Sequence, residues 1–428
     1  MNKISNLPPK GTYDWFPEEF KIRKYIFDNW RKVCEEFGYK EYLTPIVENA
    51  EIYRAKSGED VAGPELLTIK KEDGELAIRP EMTPSVTRMV TRFYESSPKP
   101  IRLFSIANFM RYQKPQRGRN REFWQLNFDL FGSESTNADI EILQISLEIM
   151  LSFAPPSGAF TMFINNRKLI DYILDTVCKL SEKQKSEVVR ILDKFDKLST
   201  DEVIARLKTV AVEDRQVEDI LKFIKSKTSD ELVEYFPEIA ENAGYKEIVE
   251  IIESLNYLGY SEWIKFQPNI IRGFDYYDGM VFEVFDNDPK NGRSLFGGGR
   301  YNGLAGIFGS KSFPAVGCAP GDEPIRIFLE SWKLLDKVLD SKKERLYYVP
   351  QIEGGDGFAV LDIARRLRTE GKNVITGVDV QKMSKALEYA NKINATFTVL
   401  IGENEVAGGK AIIKNMETGE QTKLSIAQ

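Results

Sequence analysis

Residues 101–132 read IRLFSIANFMRYQKPQRGRNREFWQLNFDLFG. Two apolar runs flank a basic stretch, KPQRGRNR, so the segment reads as a β-hairpin: IRLFSIANFMRY goes out and EFWQLNFDLFG returns. Successive side chains of a strand point to opposite faces. The return strand therefore sets Trp124, Leu126, Phe128 and Leu130 on one face and Phe123, Gln125, Asn127 and Asp129 on the other. The first face suits a core. The second carries two amides and a carboxylate, and needs water or a polar ligand against it. The loop beside it holds Arg111, Lys114, Arg117, Arg119 and Arg121. A solvated charged tip is one reading. A clamp for polyphosphate or nucleic acid is the other, because guanidinium forks match phosphate oxygens. The polar strand face next to those arginines favours the clamp.

Outward from the hairpin, residues 18–37 place Ile22, Ile26, Trp30, Val33 and Phe37 at helical spacing, with Gly38 as a C-terminal cap. The next segment, YKEYLTPIVENAEIY (39–53), is strand-like around Pro45, which cannot donate to a ladder and so suggests an edge or an interface. From 165 to 256 long charged stretches with helical periodicity predict a helical domain inserted between two parts of a sheet. Strands resume at 268–285, SLFGGGRYNGLAGIFG follows, and a helix is expected near 322–338. Residues 345–428 alternate strand and helix and close on a hairpin, an α/β unit. The expected class is multidomain α+β, divided as 1–164, 165–256, 257–340 and 341–428.

Composition narrows the chemistry. The chain has 428 residues, 42% hydrophobic and 29% charged, with a formal net charge of −6, as in ordinary soluble domains. It contains no histidine, which excludes Ser-His-Asp, Cys-His and HExxH sites. Cys34, Cys178 and Cys318 are isolated, supporting neither a disulfide framework nor a cysteine zinc site. No apolar run approaches a membrane span, and the start MNKISNLPPKGTYDWF lacks a signal core, so a cytoplasmic location is expected.

Three further stretches gather polar side chains. IRPEMTP (78–84) places Glu81 and Thr83 on one side of an extended segment, where they suit either a turn cap or an ammonium group. IRGFDYYDGMVFEVF (271–285) puts Arg272, Tyr276 and Tyr277 at the mouth of an apolar strand that needs none of them for packing. GGGRYNGL (297–304) sets three glycines before Arg300 and Tyr301, which suits a bulge or a close approach of backbone to a ligand. There is no GxxxxGK[ST] loop and no GxGxxG, so a nucleotide would be held by side chains on a sheet.

Together, PPKGTYDWFP, RPEMTPSVTR, RYQKPQRGRNREFWQLNFDLFG, RGFDYYDGMVFEVF, GGGRYNGL and the C-terminal TVLIGENEVAGGKAIIKNMETGEQ resemble the histidyl-tRNA synthetases, a class II aminoacyl-tRNA synthetase family. The resemblance implies an antiparallel catalytic sheet, a helical insertion and a C-terminal anticodon-binding domain. It implies a homodimer built partly around the first helix and the Pro45 strand. The implied substrates are L-histidine, ATP with Mg²⁺, and tRNA(His), with no dedicated protein-only metal site. By this resemblance Arg272 is the catalytic cation and Arg111 holds the α-phosphate. Asp129 accepts from the imidazole N–H and the Tyr277 hydroxyl meets the other nitrogen. Glu81, Thr83 and Gln125 hold the α-amino group, while Met82, Tyr276 and Tyr301 complete the histidine pocket. Arg119, Arg121, Phe123 and Arg300 are assigned to ATP.

Asp129 stands where the family has Glu or Asp. Two departures are larger. Gln113 occupies a position where the second class II motif usually has an acid. Pro324 in PAVGCAPGDEPIRIF (314–328) replaces the arginine on which adenine usually stacks. Proline offers neither charge nor donor, so stacking is expected to come from motif 2 or from Phe123. A regulatory subunit of ATP phosphoribosyltransferase and an inactive tRNA-binding paralogue are the alternative readings.

Overall fold

The computed structural model describes residues 4–55, 59–192, 195, 198–270, 276–292, 294–336 and 345–426. The chain falls into two compact units, Met1–Val338 and Leu339–Gln428. In the first unit the strands are β1 (Lys40–Glu41), β2 (Val47–Asn49), β3 (Thr68–Lys71), β4 (Gly74–Ile78), β5 (Ile101–Met110) and β6 (Glu122–Phe131). They continue as β7 (Phe160–Asn166), β8 (Ile264–Phe266), β9 (Met280–Asp286), β10 (Ser294–Arg300) and β11 (Ala315–Cys318). The main sheet runs β1-β5-β6-β11-β10-β9-β7-β8, and β2-β4-β3 form a small second sheet. Within the main sheet only the two outer pairs, β1 with β5 and β7 with β8, are parallel.

The predicted hairpin forms as β5 and β6, in unbroken register from Ile101↔Phe131 to Met110↔Glu122. Leu126, Phe128 and Leu130 enter a large core with Ile26 and Trp30 of the helix Pro17–Glu36 and Ile142 and Ile145 of the helix Thr136–Leu151. The first helix starts where expected, with Pro17 leading and the Phe16 N–H donating to Glu19 at 3.0 Å. Pro45 lies between β1 and β2, each an edge strand, and not inside a strand.

The helical segment is not a separate body. Val188, Ile220, Phe223 and Leu255 share one apolar core with Ile145 and Phe160. The helix Ala243–Tyr257 packs against both the helix Thr136–Leu151 and β7. The expected breaks near 164 and 256 are thus changes of texture within one unit, because the inserted helices bury their apolar stripes on the sheet's own layer.

The second unit has the expected α/β alternation. It runs β12 (Leu346–Ile352), β13 (Asn373–Gln381), β14 (Phe397–Leu400), β15 (Lys410–Asn415) and β16 (Gln421–Ser425), ordered β13-β12-β14-β15-β16. The helices Gly357–Thr369 and Met383–Lys392 join its parallel strands, and Asp356 caps the first through the Phe358 N–H at 2.8 Å. Among the described residues no helix is long and apolar enough to cross a membrane.

Candidate active site

A cavity of about 650 Å³ opens over the middle of the main sheet, and Phe123, Gln125, Asn127 and Asp129 form its floor. This is the polar face read from the alternation. Gln125, Asn127 and Asp129 stay out of the large core because the helices Pro17–Glu36 and Thr136–Leu151 cover β6 from its other face, while Phe123 packs against a smaller cluster with Phe109.

At one end of the floor lies a buried acid. Asp129 is 3% exposed and accepts a hydrogen bond from the Tyr301 hydroxyl at 2.5 Å. Burial pushes its pKa up to about 7, and the Tyr301 hydrogen bond opposes that rise. Gly317 of β11 lies opposite Asp129 in register, and a Cβ there would collide with Asp129 Oδ1. Gly299 of β10 has the same function beside the second tyrosine, since a Cβ would lie 2.8 Å from Tyr277 Cδ1. Two of the small residues in the glycine-rich strands therefore let an acid and an aromatic ring sit flat against the sheet. Tyr276 packs between Tyr277 and Tyr301, with ring centroids 4.8 and 5.9 Å away. Its hydroxyl donates to Glu81 at 3.1 Å. Glu81 and Thr83 both line the cavity, and Thr83 opens the helix Thr83–Thr91.

The other end is cationic. Arg111 begins the hairpin loop, anchored by its Nε–H to Pro80 O at 2.9 Å, with its guanidinium 5.2 Å from the Phe123 ring centre. Burial lowers its pKa, while Glu81 and Glu65 oppose the shift. Arg119 follows a tight Gln116–Arg119 turn, whose Gly118 has φ +76°, and also faces the cavity. The same lining includes Gly321, Asp322, Glu323 and Pro324. Asp322 is buried, pairs with Arg23 at 2.5 Å and accepts from the Trp124 N–H at 3.0 Å, so it fixes this wall to β6.

Several expected site residues lie elsewhere. Arg300 does not face the cavity: it is 5% exposed, pairs with Asp139 at 2.8 Å and donates to the carbonyls of Ser133 and Ser135. Arg300 and Tyr301 are neighbours in an extended segment and point to opposite faces, a signal already present in GGGRYNGL. Arg121 lies over the Tyr112 ring at 4.0 Å and donates to the carbonyls of Gln113 and Lys10, tying the N-terminal segment to the loop. Met82 is fully buried, with its sulfur accepting from Thr44 at 3.2 Å. Arg326, two residues after Pro324 and not among the expected site residues, sits on the helix Asp322–Ser331 and pairs with Glu323 and Glu330 at 2.8 and 3.2 Å. Arg272 lies outside the described residues.

Asn127, Arg167 and Arg190 are among the lining residues to which the sequence assigned no role. Asn127 stands on the recognised face between Gln125 and Asp129, so its alternation signal was available. Arg167 and Arg190 come from the helical segment, and no local pattern links them to the hairpin. Among the described residues no group of three or more Asp, Glu or Cys side chains is arranged to hold a metal ion. Glu65 and Glu283 line the cavity singly, a set that fits Mg²⁺ carried in on nucleotide phosphates.

A histidyl-tRNA synthetase family model matches residues 11–322, and an anticodon binding domain model matches 358–428. The chain is 37% identical over 428 residues to a histidine–tRNA ligase of Leptospira biflexa, covering 100% of this chain and 97% of the relative. It is 35% identical over 423 residues to the histidine–tRNA ligase of Pyrococcus horikoshii, covering 97% and 96%. Its fold is similar to a histidyl-tRNA synthetase structure from Nostoc sp. PCC 7120, with a TM-score of 0.78, 24% identity, and 99% and 97% of the two chains covered.

Proposed function

This chain belongs to the histidyl-tRNA synthetases, and from that premise we propose how its own residues divide the work. Histidine lies on the Asp129 end of the floor. The Asp129 carboxylate accepts from one ring nitrogen and the Tyr277 hydroxyl meets the other. Glu81, Thr83 and Gln125 receive the α-ammonium group. ATP enters as its magnesium complex at the cationic end, with its phosphates on Arg111 and Arg119 and its adenine against Phe123.

The histidine carboxylate attacks the α-phosphorus, the bond to the bridging oxygen breaks, and pyrophosphate leaves. Negative charge grows on α-phosphate oxygens in this step, and a fixed guanidinium aimed there lowers the barrier. Arg111 supplies one such cation from the hairpin, and Arg272 is assigned the second. The terminal adenosine hydroxyl of tRNA(His) then attacks the adenylate carbonyl and AMP leaves. The second unit binds the anticodon region. A homodimer forms through the helix Pro17–Glu36 and the segment 40–49, where Leu43 and Ile46 are 68% and 46% exposed, and the protein works in the cytoplasm.

The observation that carries this reading is one strand face with a buried acid at one end and a cation–aromatic pair at the other. Histidine-dependent ATP–pyrophosphate exchange, followed by charging of tRNA(His), tests it. A histidine-sensing regulatory subunit would bind histidine and show no exchange, and a tRNA-binding paralogue would do neither reaction.

A further inference from the structure

Three residues that each bury an unpartnered polar atom occupy adjoining positions across the sheet at the acid end of the cavity. Ser105 and Asn127 are paired positions of β5 and β6, so their side chains share a face. Tyr42 follows β1, its N–H donating to Phe104 O at 2.8 Å. Its ring packs with Leu103 against the cluster of Met82, Tyr276 and Tyr301, on the cavity side of the sheet. Tyr42 Oη, Ser105 Oγ and Asn127 Nδ2 are all buried without a hydrogen-bond partner among the described residues. Ser105 is 0% and Asn127 3% exposed, yet Asn127 lines the cavity.

Buried polar groups in native proteins are almost always satisfied. Three orphans at adjoining positions match the demand of one ordered water, which makes about three hydrogen bonds to such groups. We propose that Tyr42, Ser105 and Asn127 hold an ordered water beneath the histidine pocket, and that Asn127, braced by it, is a specificity residue for the imidazole ring. Burial and the nearby Asp129 carboxylate both push the Tyr42 pKa up, so this hydroxyl lies within electrostatic reach of the same acid.

The geometry suits a ring with two unlike nitrogens. Residues i and i+2 of a strand are roughly 6.6–6.8 Å apart. A ring held by Asp129 through a hydrogen bond of about 2.7–3.2 Å therefore lies within reach of the Asn127 side chain on the same face. An amide offers both a donor and an acceptor. Asn127 therefore flanks the ring that Asp129 and Tyr277 hold by its nitrogens, and fixes its place between them. Tyr42 and Ser105 act through the water and are positioning residues. The inference rests on the histidine assignment of this pocket.

The test uses the full-length protein in pyrophosphate exchange. Tyr42→Phe and Ser105→Ala each remove one hydroxyl with little change of shape. Each should raise the histidine KM roughly three- to tenfold and leave the ATP KM within about twofold. Combined, they should do little more than the stronger single change, because both act through one water. An unchanged histidine KM in both variants, or a rise shared equally by ATP, overturns the proposal. Asp129→Ala is measured alongside. If it leaves the histidine KM unchanged, the pocket assignment itself fails. An effect at Asp129 with none at Tyr42 or Ser105 removes the water alone.

Discussion

The Tyr301 hydroxyl donates to Asp129 Oδ1 at 2.5 Å, and both side chains are buried. One hydrogen bond does not repay the loss of water around a carboxylate, so the Asp129 pKa rises to about 7. The folded state thus holds a proton between pH 4 and 7 that the unfolded chain has lost. Stability falls as pH rises through that window.

Asp129→Asn should accordingly be more stable than the parent at pH 8, by roughly 2–4 kcal/mol, and the difference should vanish toward pH 4. Thermal or denaturant unfolding at the two pH values measures it. The same variant should raise the histidine KM, since an amide replaces the acceptor of the ring N–H. Equal stability gains at both pH values would show that Asp129 ionises normally in the fold.

Gly317 faces Asp129 across the β6–β11 ladder with no room for a methyl group. Gly317→Ala should displace the carboxylate and cost about 1–3 kcal/mol of stability. Exchange kinetics should show a raised histidine KM with the ATP KM little changed. A rise in the ATP KM alone would place the disturbance at the other end of the floor.

Arg300 and Asp139 form a buried pair, each 5% or less exposed. Removing one partner leaves the other charge unpaired, so Arg300→Ala should lower stability by roughly 3–5 kcal/mol. Replacing both with apolar residues of similar volume should recover much of that loss. Protein that remains folded should keep its ATP KM, which distinguishes a structural arginine from a phosphate ligand.

Arg119 and Arg326 should separate cleanly. Arg119 faces the cavity, and loss of its charged hydrogen bonds to phosphate should raise the ATP KM roughly tenfold or more. Arg326 is engaged with Glu323 and Glu330 on a helix surface, where such pairs contribute about 0.3–0.5 kcal/mol. Arg326→Ala should change the ATP KM little. Loss of exchange in Arg326→Ala would make it the adenine-stacking arginine in place of Pro324.

Much of this architecture is legible in local pattern. The strict alternation of residues 123–130 assigns every side chain of β6 to its face, because a strand's period of two needs no knowledge of its partners. The α/β texture after residue 345 is legible for the same reason. The tertiary structure alone decided which cations serve the cavity. Arg300 and Arg111 both stand at strand ends near glycines or aromatics, yet one is consumed by Asp139, 161 residues away in sequence, and the other meets Phe123. Arg167 and Arg190 reach the cavity only because the inserted helices share the core of the sheet. Periodicity is set within a few residues, whereas the partner of a charge is set by which distant segments pack together.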